Sequence, residues 1–372
     1  MTQLARLTAR YRPAPPRTPE GAPRRWVSLA VAGAVLVIFA VLPFCGFSLP
    51  WVLPSSVDIV NSTGTLSVLA LCFVFAGVAV GFDVLFGYTG LLSFGQVLYF
   101  AAGVYLLDIA LSVWHWALIP AIGLTLAASL LLALFLGAIS LRTSGIAFAM
   151  VTLAFAQAGY YLIEDNPHQL TGGDTGLVMS TSRIPAMFVG VVSTRNLYWL
   201  ALVFCVVAYA VTRLAVGSVT GQVWLAIRES EQRVEVLGLR PFGFKLASFV
   251  LSSLVATVGG MVYLLVVGTA APSSVASTTV TVSVLVMVVL GGAGTLWGAV
   301  VGAVVYVYLQ QYLLKVAAEP SFASLPAVLR TPLSQPDFLL GVIFILFILF
   351  APGGIAGLLG RARAGRASRG GS

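Results

Sequence analysis

The amino-acid sequence predicts an all-α, polytopic membrane protein with about ten membrane-crossing helices and both termini in the cytoplasm. Three observations carry this. Of 372 residues, 59% are hydrophobic and 9% charged, with a mean hydropathy of +1.02, whereas soluble domains carry about a quarter charged residues. Charge is also excluded from long runs: 26–57, 59–82, 84–107, 109–141, 143–163, 246–314 and 338–360 hold no Asp, Glu, Lys or Arg. A membrane helix needs roughly 20 apolar residues, and these runs do not alternate as barrel strands do. The third observation is the placement of the basic residues, taken up below.

In chain order, residues 1–25 form a disordered basic cytoplasmic tail, with Arg6, Arg10, Arg12, Arg17, Arg24 and Arg25 among prolines. A transmembrane domain follows over 26–355. Its first span, 26–47, is too long for the apolar core of a cleaved signal. The next spans are 64–85, 92–112, 116–140, 146–163, 195–215, 245–268, 279–291, 298–314 and 337–353. The 246–314 run divides into three at Ala271-Pro272-Ser273-Ser274 and at Gly291-Gly292-Ala293-Gly294, both turn-type clusters. A second basic tail, 356–372, carries Arg361, Arg363, Arg366 and Arg369. With the N-terminus inside, the tails and the 141–145 and 213–245 loops hold 16 of the 20 Lys and Arg. Arg183, Arg195, Lys315 and Arg330 fall outside. This is a strong positive-inside bias.

Several chemistries are excluded. Cys45, Cys72 and Cys205 lie singly in apolar runs, with no metal or disulfide spacing. His115 and His168 are the two histidines, and neither Lys245 nor Lys315 ends a phosphate-binding loop. No metal or other cofactor is expected. The net charge of +8 is explained by residues flanking membrane spans, so membrane lipid and not nucleic acid is the expected surroundings. No acid or histidine falls at the centre of a span, which disfavours a proton-coupled carrier.

The longest cytoplasmic loop, 217–244, is the most informative segment. Val223 to Leu237 contains no Gly or Pro, so one helix is expected, with Leu225, Ala226, Val234 and Leu237 on a broad apolar side. Arg228 with Gln232, and Glu229 with Arg233, stand four apart and are spaced to meet. Gly238 is placed as a C′ glycine. Glu229, Glu231 and Glu235 argue against anionic lipid and for a soluble partner. The turns around Gly87-Tyr88-Thr89-Gly90-Leu91-Leu92-Ser93-Phe94-Gly95 and Gly291-Gly292-Ala293-Gly294-Thr295-Leu296-Trp297-Gly298 are weakly similar. A duplicated architecture and chance recurrence of Gly-rich turns are both open readings.

Five segments together resemble one family. They are Gly87–Gly95, Val151-Thr152-Leu153-Ala154-Phe155-Ala156-Gln157, Thr171-Gly172-Gly173-Asp174-Thr175-Gly176-Leu177, Ala226-Ile227-Arg228-Glu229 through Leu237-Gly238, and Leu290–Gly298. In this order, over roughly 60–315, they are similar to the permease subunits of branched-chain amino acid ABC importers, with urea and amide permeases close behind. The resemblance implies a multi-pass inner-membrane permease with no catalytic residues. Its partners would be a second permease subunit, two cytoplasmic ATPase subunits that bind the ATP, and an extracytoplasmic solute-binding protein. The substrate would be branched-chain amino acids; the alternatives are urea or short amides, and, in a different class, a secondary transporter or channel. Arg228, Glu229, Glu231, Arg233, Glu235 and Gly238 would couple to the ATPases. Gly87, Gly90, Gly95, Gly291, Gly294 and Gly298 are the family's motif glycines. Two departures stand out: Gln96 where the family often has His, and Arg233-Val234 in place of paired alanines.

The remaining candidates each have two readings. Gln96, Gln157, Tyr160 and Tyr161 line a translocation path, or else make interhelical hydrogen bonds and interfacial contacts. Asp83 and Asp108 are functional intramembrane acids, or else reach interfacial water from the ends of their spans. Glu164, Asp165 and Asp174 dock the binding protein, or keep the outer surface wet. Gly77-x-x-x-Gly81 and Gly298-x-x-x-Gly302 read as close helix packing. His115, between Trp114 and Trp116, reads as part of an aromatic belt.

Overall fold

The computed structural model describes residues 39, 41–44, 62–180, 194–317, 335–351 and 353–358. The basic tail 1–25, most of the first span 26–47, and the arginines of the second tail lie outside the described residues. The elements are α1 (Thr63–Asp83), a π-helical turn (Val84–Tyr88), α2 (Gln96–Ser112), α3 (Leu118–Ser140), α4 (Ile146–Glu164), β1 (Leu177–Val178), α5 (Thr194–Gly217), α6 (Val219–Glu229), α7 (Glu231–Val236), α8 (Pro241–Val267), β2 (Thr269–Ala270), α9 (Pro272–Val275), α10 (Thr278–Gly291), α11 (Leu296–Ala317) and α12 (Pro336–Phe350).

Among the described residues, eight helical segments are long and apolar enough to cross a membrane, and α2 is a shorter apolar helix of 17 residues. Each expected span from the second to the tenth falls on one of these nine. The chain is an all-α polytopic membrane protein. The short span expected at 279–291 is lengthened by α9, giving a 20-residue segment, Pro272–Gly291. The span expected from 245 begins earlier, at Pro241, which occupies the first helical turn, where a missing N–H is harmless.

The bundle is built around α1 and α8. Most of the apolar length of each is enclosed by protein, 78% and 67%. α1 packs on α5, α8, α10 and α11, and α8 also packs on α2, α3 and α5. Apolar surface gains little from leaving lipid, so these contacts depend on close approach of backbones. Gly103 of α2 lies against the Thr257 carbonyl of α8, and Gly260 of α8 against the Phe100 carbonyl of α2. A methyl at either would overlap backbone. Gly77 and Gly81 of α1 lie against Phe204 and Val255, and Gly302 of α11 against the Met287 carbonyl of α10. Both small-xxx-small pairs therefore sit at packed interfaces.

α8 is 27 residues long, about 40 Å at 1.5 Å per residue. Its two ends separate two clusters. At the Pro241 end lie α6, α7 and the glycine turns. At the Val267 end, β2 pairs antiparallel with β1, Leu177 opposite Ala270, tying the 164–180 segment to the bundle.

Candidate functional site

The 218–240 segment forms two helices rather than the one expected. α6 buries Gly221, Trp224 and Ile227, a three-residue repeat that keeps one stripe against the bundle. The Trp224 indole N–H donates to the Phe244 carbonyl at 2.8 Å. α6 stops at Ser230, which is extended (φ −165°, ψ 108°), and its Oγ accepts the Arg233 N–H at 3.4 Å. Serine offers the backbone this alternative to helix continuation. α7 then ends as the sequence predicts. Gly238 has φ +83°, its N–H donates to the Glu235 carbonyl, and the Leu239 N–H donates to the Val234 carbonyl, a Schellman closure.

The break re-aims the side chains. Val234 is buried, while Leu225, Ala226 and Leu237 are exposed, so the four do not share one side. Among the described residues, neither Arg228 with Gln232 nor Glu229 with Arg233 makes a hydrogen bond or ion pair. Glu231 instead pairs with Lys245 of α8, whose side chain is only 10% exposed. Glu229, Arg233 and Glu235 are exposed. Around them protrude Val236, Leu237, Leu239 and Phe242, the first two 88% and 78% exposed.

Arg228, though an exposed residue, reaches back to the edge of the bundle. Its guanidinium donates to the Gly87 carbonyl, and its side chain lies against Gly90, which has φ +80°. Gly87 belongs to the π-helical turn that ends α1, a feature common at functional sites. One turn earlier, Asp83 Oδ1 accepts the Gly294 N–H at 2.8 Å. A methyl on Gly87 would overlap both that oxygen and that nitrogen. Gly294 itself has φ +83°. The two glycine motifs, over 200 residues apart in sequence, thus meet at one point with Arg228.

The other motif glycines support this point. Gly95 rests on Thr152, whose hydroxyl accepts the Phe94 N–H at 3.2 Å. The Phe94 carbonyl accepts from Thr281 Oγ1 at 3.2 Å. Gly291 and Gly298 pack on each other's backbone. Asp83 is completely buried, so the reading in which it reaches interfacial water does not hold; the turn at Gly294 covers this end of α1. Asp108 is equally buried, with the Ser112 hydroxyl donating to it at 2.7 Å, and Ser112 Oγ accepts the Ser180 N–H.

The path candidates are not gathered together. Gln157 donates to the Thr278 hydroxyl, linking α4 to α10, as the interhelical reading expects. Gln96 is 4% exposed, and neither amide atom has a partner among the described residues. It faces a cavity between α1, α2 and α10, walled by Phe75, Phe82, Phe100 and Val284. The cavity's volume of about 10 Å³ is room for about one water. Tyr160 is half-buried, edge-on to Tyr161 at 5.7 Å between ring centres.

At the other end of α8, Glu164, Asp165 and Asp174 are all exposed. Asn166 organises the loop they border: its Oδ1 accepts from the Thr171 N–H, the Gly172 N–H and the Thr171 hydroxyl at 2.9–3.0 Å. Asn166 has φ +52°, a conformation asparagine tolerates better than most residues. Trp114 and Trp116, rings 5.8 Å apart, flank His115 and are partly exposed. Among the described residues, no group of three His, Cys, Asp or Glu is placed to hold a metal ion.

Sequence reasoning did not single out Lys245, Trp224 or Asn166 as site-forming, and it left Asp83 open between a functional acid and an interfacial one. Asp83 carried the one usable signal, an acid in an apolar run four residues before a motif glycine.

Comparison with known proteins agrees with this architecture. The family model described as "Branched-chain amino acid transport system / permease component" matches residues 64–351. The chain is similar to the high-affinity branched-chain amino acid transport system permease protein LivM of Escherichia coli K12, 28% identical over 280 residues. It resembles LivM of Salmonella typhimurium LT2 equally, 28% over 281 residues. Each match covers 68% of this chain and 64% of the relative. No solved structure matches it. With the family model spanning well over half of its length and every described motif inside that span, the chain belongs to the family of permease components of branched-chain amino acid transport systems.

Proposed function

We propose that this chain is the membrane-spanning permease subunit of an ATP-driven ABC importer for branched-chain amino acids, resident in the cytoplasmic membrane. It works with a second permease subunit, two ATPase subunits that bind the ATP, and a solute-binding protein on the outside. The chain itself carries no catalytic residue and no cofactor.

The observation that supports this best is the α6–α7 surface. Val236, Leu237, Leu239 and Phe242 protrude among Glu229, Arg233 and Glu235. An apolar centre ringed by charge suits a protein partner. The same element holds the bundle through Trp224, Glu231 and Arg228. A partner that moves this surface therefore moves the ends of α1 and α8. Closure of the ATPases on ATP would shift α6–α7, and the bundle would open on the opposite face. Glu164, Asp165 and Asp174, at the far end of α8, would meet the binding protein.

Gly238→Glu tests this. A side chain at φ +83° costs roughly 1–2 kcal/mol, and a new carboxylate sits at the negative end of α7 and beside the docking surface. The assembled complex should lose ATP hydrolysis stimulated by the loaded binding protein. Retained assembly with full stimulation would remove this surface from the mechanism.

A further inference from the structure

We propose that Asp83 is a positioning residue which, together with Arg228, clasps the coupling element to both glycine turns, so that the three move as one body. The proposal rests on the importer reading above and adds to it the part that carries the motion inward.

Three separate chain segments meet here, and each bond uses backbone on one side. Asp83 Oδ1 holds the Gly294 N–H, and Arg228 holds the Gly87 carbonyl. Charge-assisted bonds of this kind are about twice as strong as neutral ones. Because they grip backbone, a displacement of Arg228 is passed to the turn itself and not to a side chain free to rotate. The other Asp83 oxygen, Oδ2, is buried with no hydrogen-bond partner among the described residues. Such a group is expensive to keep, and an apolar residue would pack α1 at lower cost. The acid is therefore explained by what it holds. Gly87 fits the same account, since any side chain there would occupy the space of the clasp.

The test uses the complete complex: this chain, its second permease, the ATPases and the binding protein. Spin labels go on Gln222→Cys and Trp297→Cys, both exposed, with Cys45, Cys72 and Cys205 replaced by alanine. The label separation should be the same in the nucleotide-free and nucleotide-trapped states. Asp83→Ala should let the separation change between states and should reduce stimulated hydrolysis per assembled complex roughly tenfold or more, the loss of a hydrogen bond to a charged group. Asp83→Asn keeps an oxygen for the Gly294 N–H and should retain the constant separation and most of the stimulation. A separation that changes in the unsubstituted clasp, or full stimulation in Asp83→Ala, would overturn the proposal. If Asp83→Ala fails to assemble, the separation in the intact clasp and the Asp83→Asn result decide it. Failure of the importer reading shows differently, as absent ATP-stimulated uptake in the unsubstituted complex.

Discussion

Gly87→Ala is the sharpest single perturbation of the region where the two glycine motifs meet. The added methyl would overlap Asp83 Oδ1 on one side and the Gly294 nitrogen on the other. Neither neighbour is a flexible chain end; one is a buried carboxylate and the other is backbone. Two terms add. Losing the Gly294–Asp83 bond, with a charged acceptor, costs about 1.5–3 kcal/mol. Forcing a methyl into filled space costs about 1–3 kcal/mol. The region therefore opens at a cost lower by roughly 2.5–6 kcal/mol, of which the first term alone is about tenfold or more in an equilibrium. Hydrogen exchange of a peptide covering residues 292–297 reads this directly, because the Gly294 amide is the donor. Its exchange should accelerate at least tenfold. Gly123→Ala is the control: nothing lies within 4 Å of a methyl at that position, so α3 should gain about 0.5–1 kcal/mol. Exchange at residue 294 as slow in Gly87→Ala as in the parent would refute the geometry on which this account stands.

Three further outcomes follow from the described contacts. Glu231→Ala should destabilise the α7 segment by about 1–2 kcal/mol, between the values for exposed and buried pairs because the Glu231 side chain is 43% exposed; adding Lys245→Met should recover most of the loss in exchange over 231–236. Gly103→Ala should lower the melting temperature of the purified permease, since the methyl meets the Thr257 carbonyl and overpacking costs about 1–3 kcal/mol; an unchanged melting temperature would contradict the α2–α8 packing. Cysteines placed at residues 230 and 175 should react with an impermeant reagent from opposite sides of the membrane, and labelling from one side alone would reject the arrangement of spans.

The membrane character of the chain is legible in its sequence because it is a property of composition over about 20 residues, and the charge-free runs are that long. Enclosure is not legible. The segments Thr63–Tyr88 and Leu118–Ser140 are about equally apolar, yet 78% of the first is enclosed and 22% of the second. Lipid and protein interior are alike in polarity, so side-chain hydrophobicity does not separate them. Gly238 is legible because a positive φ at a helix end has one common solution. The break at Ser230 is not, since a serine inside a run of helix formers reads as an exposed helical residue until its hydroxyl is seen to cap the next helix. The hydrogen-bond partners of Gln157 and Glu231 are not legible for a similar reason. Their partners, Thr278 and Lys245, come from other parts of the chain. The meeting of Asp83, Gly87, Arg228 and Gly294 is long-range in the same way, and no local pattern announces it.

In the proposed importer, ATP hydrolysis by partner subunits drives branched-chain amino acids through this chain. The most direct measurement is uptake of radiolabelled leucine into vesicles holding the full complex, with ATP enclosed and the binding protein outside. The account predicts uptake that requires ATP and the binding protein together, is competed by isoleucine and valine and not by urea, and disappears with Gly238→Glu. Uptake that persists without ATP, or that follows an imposed ion gradient instead, would contradict it.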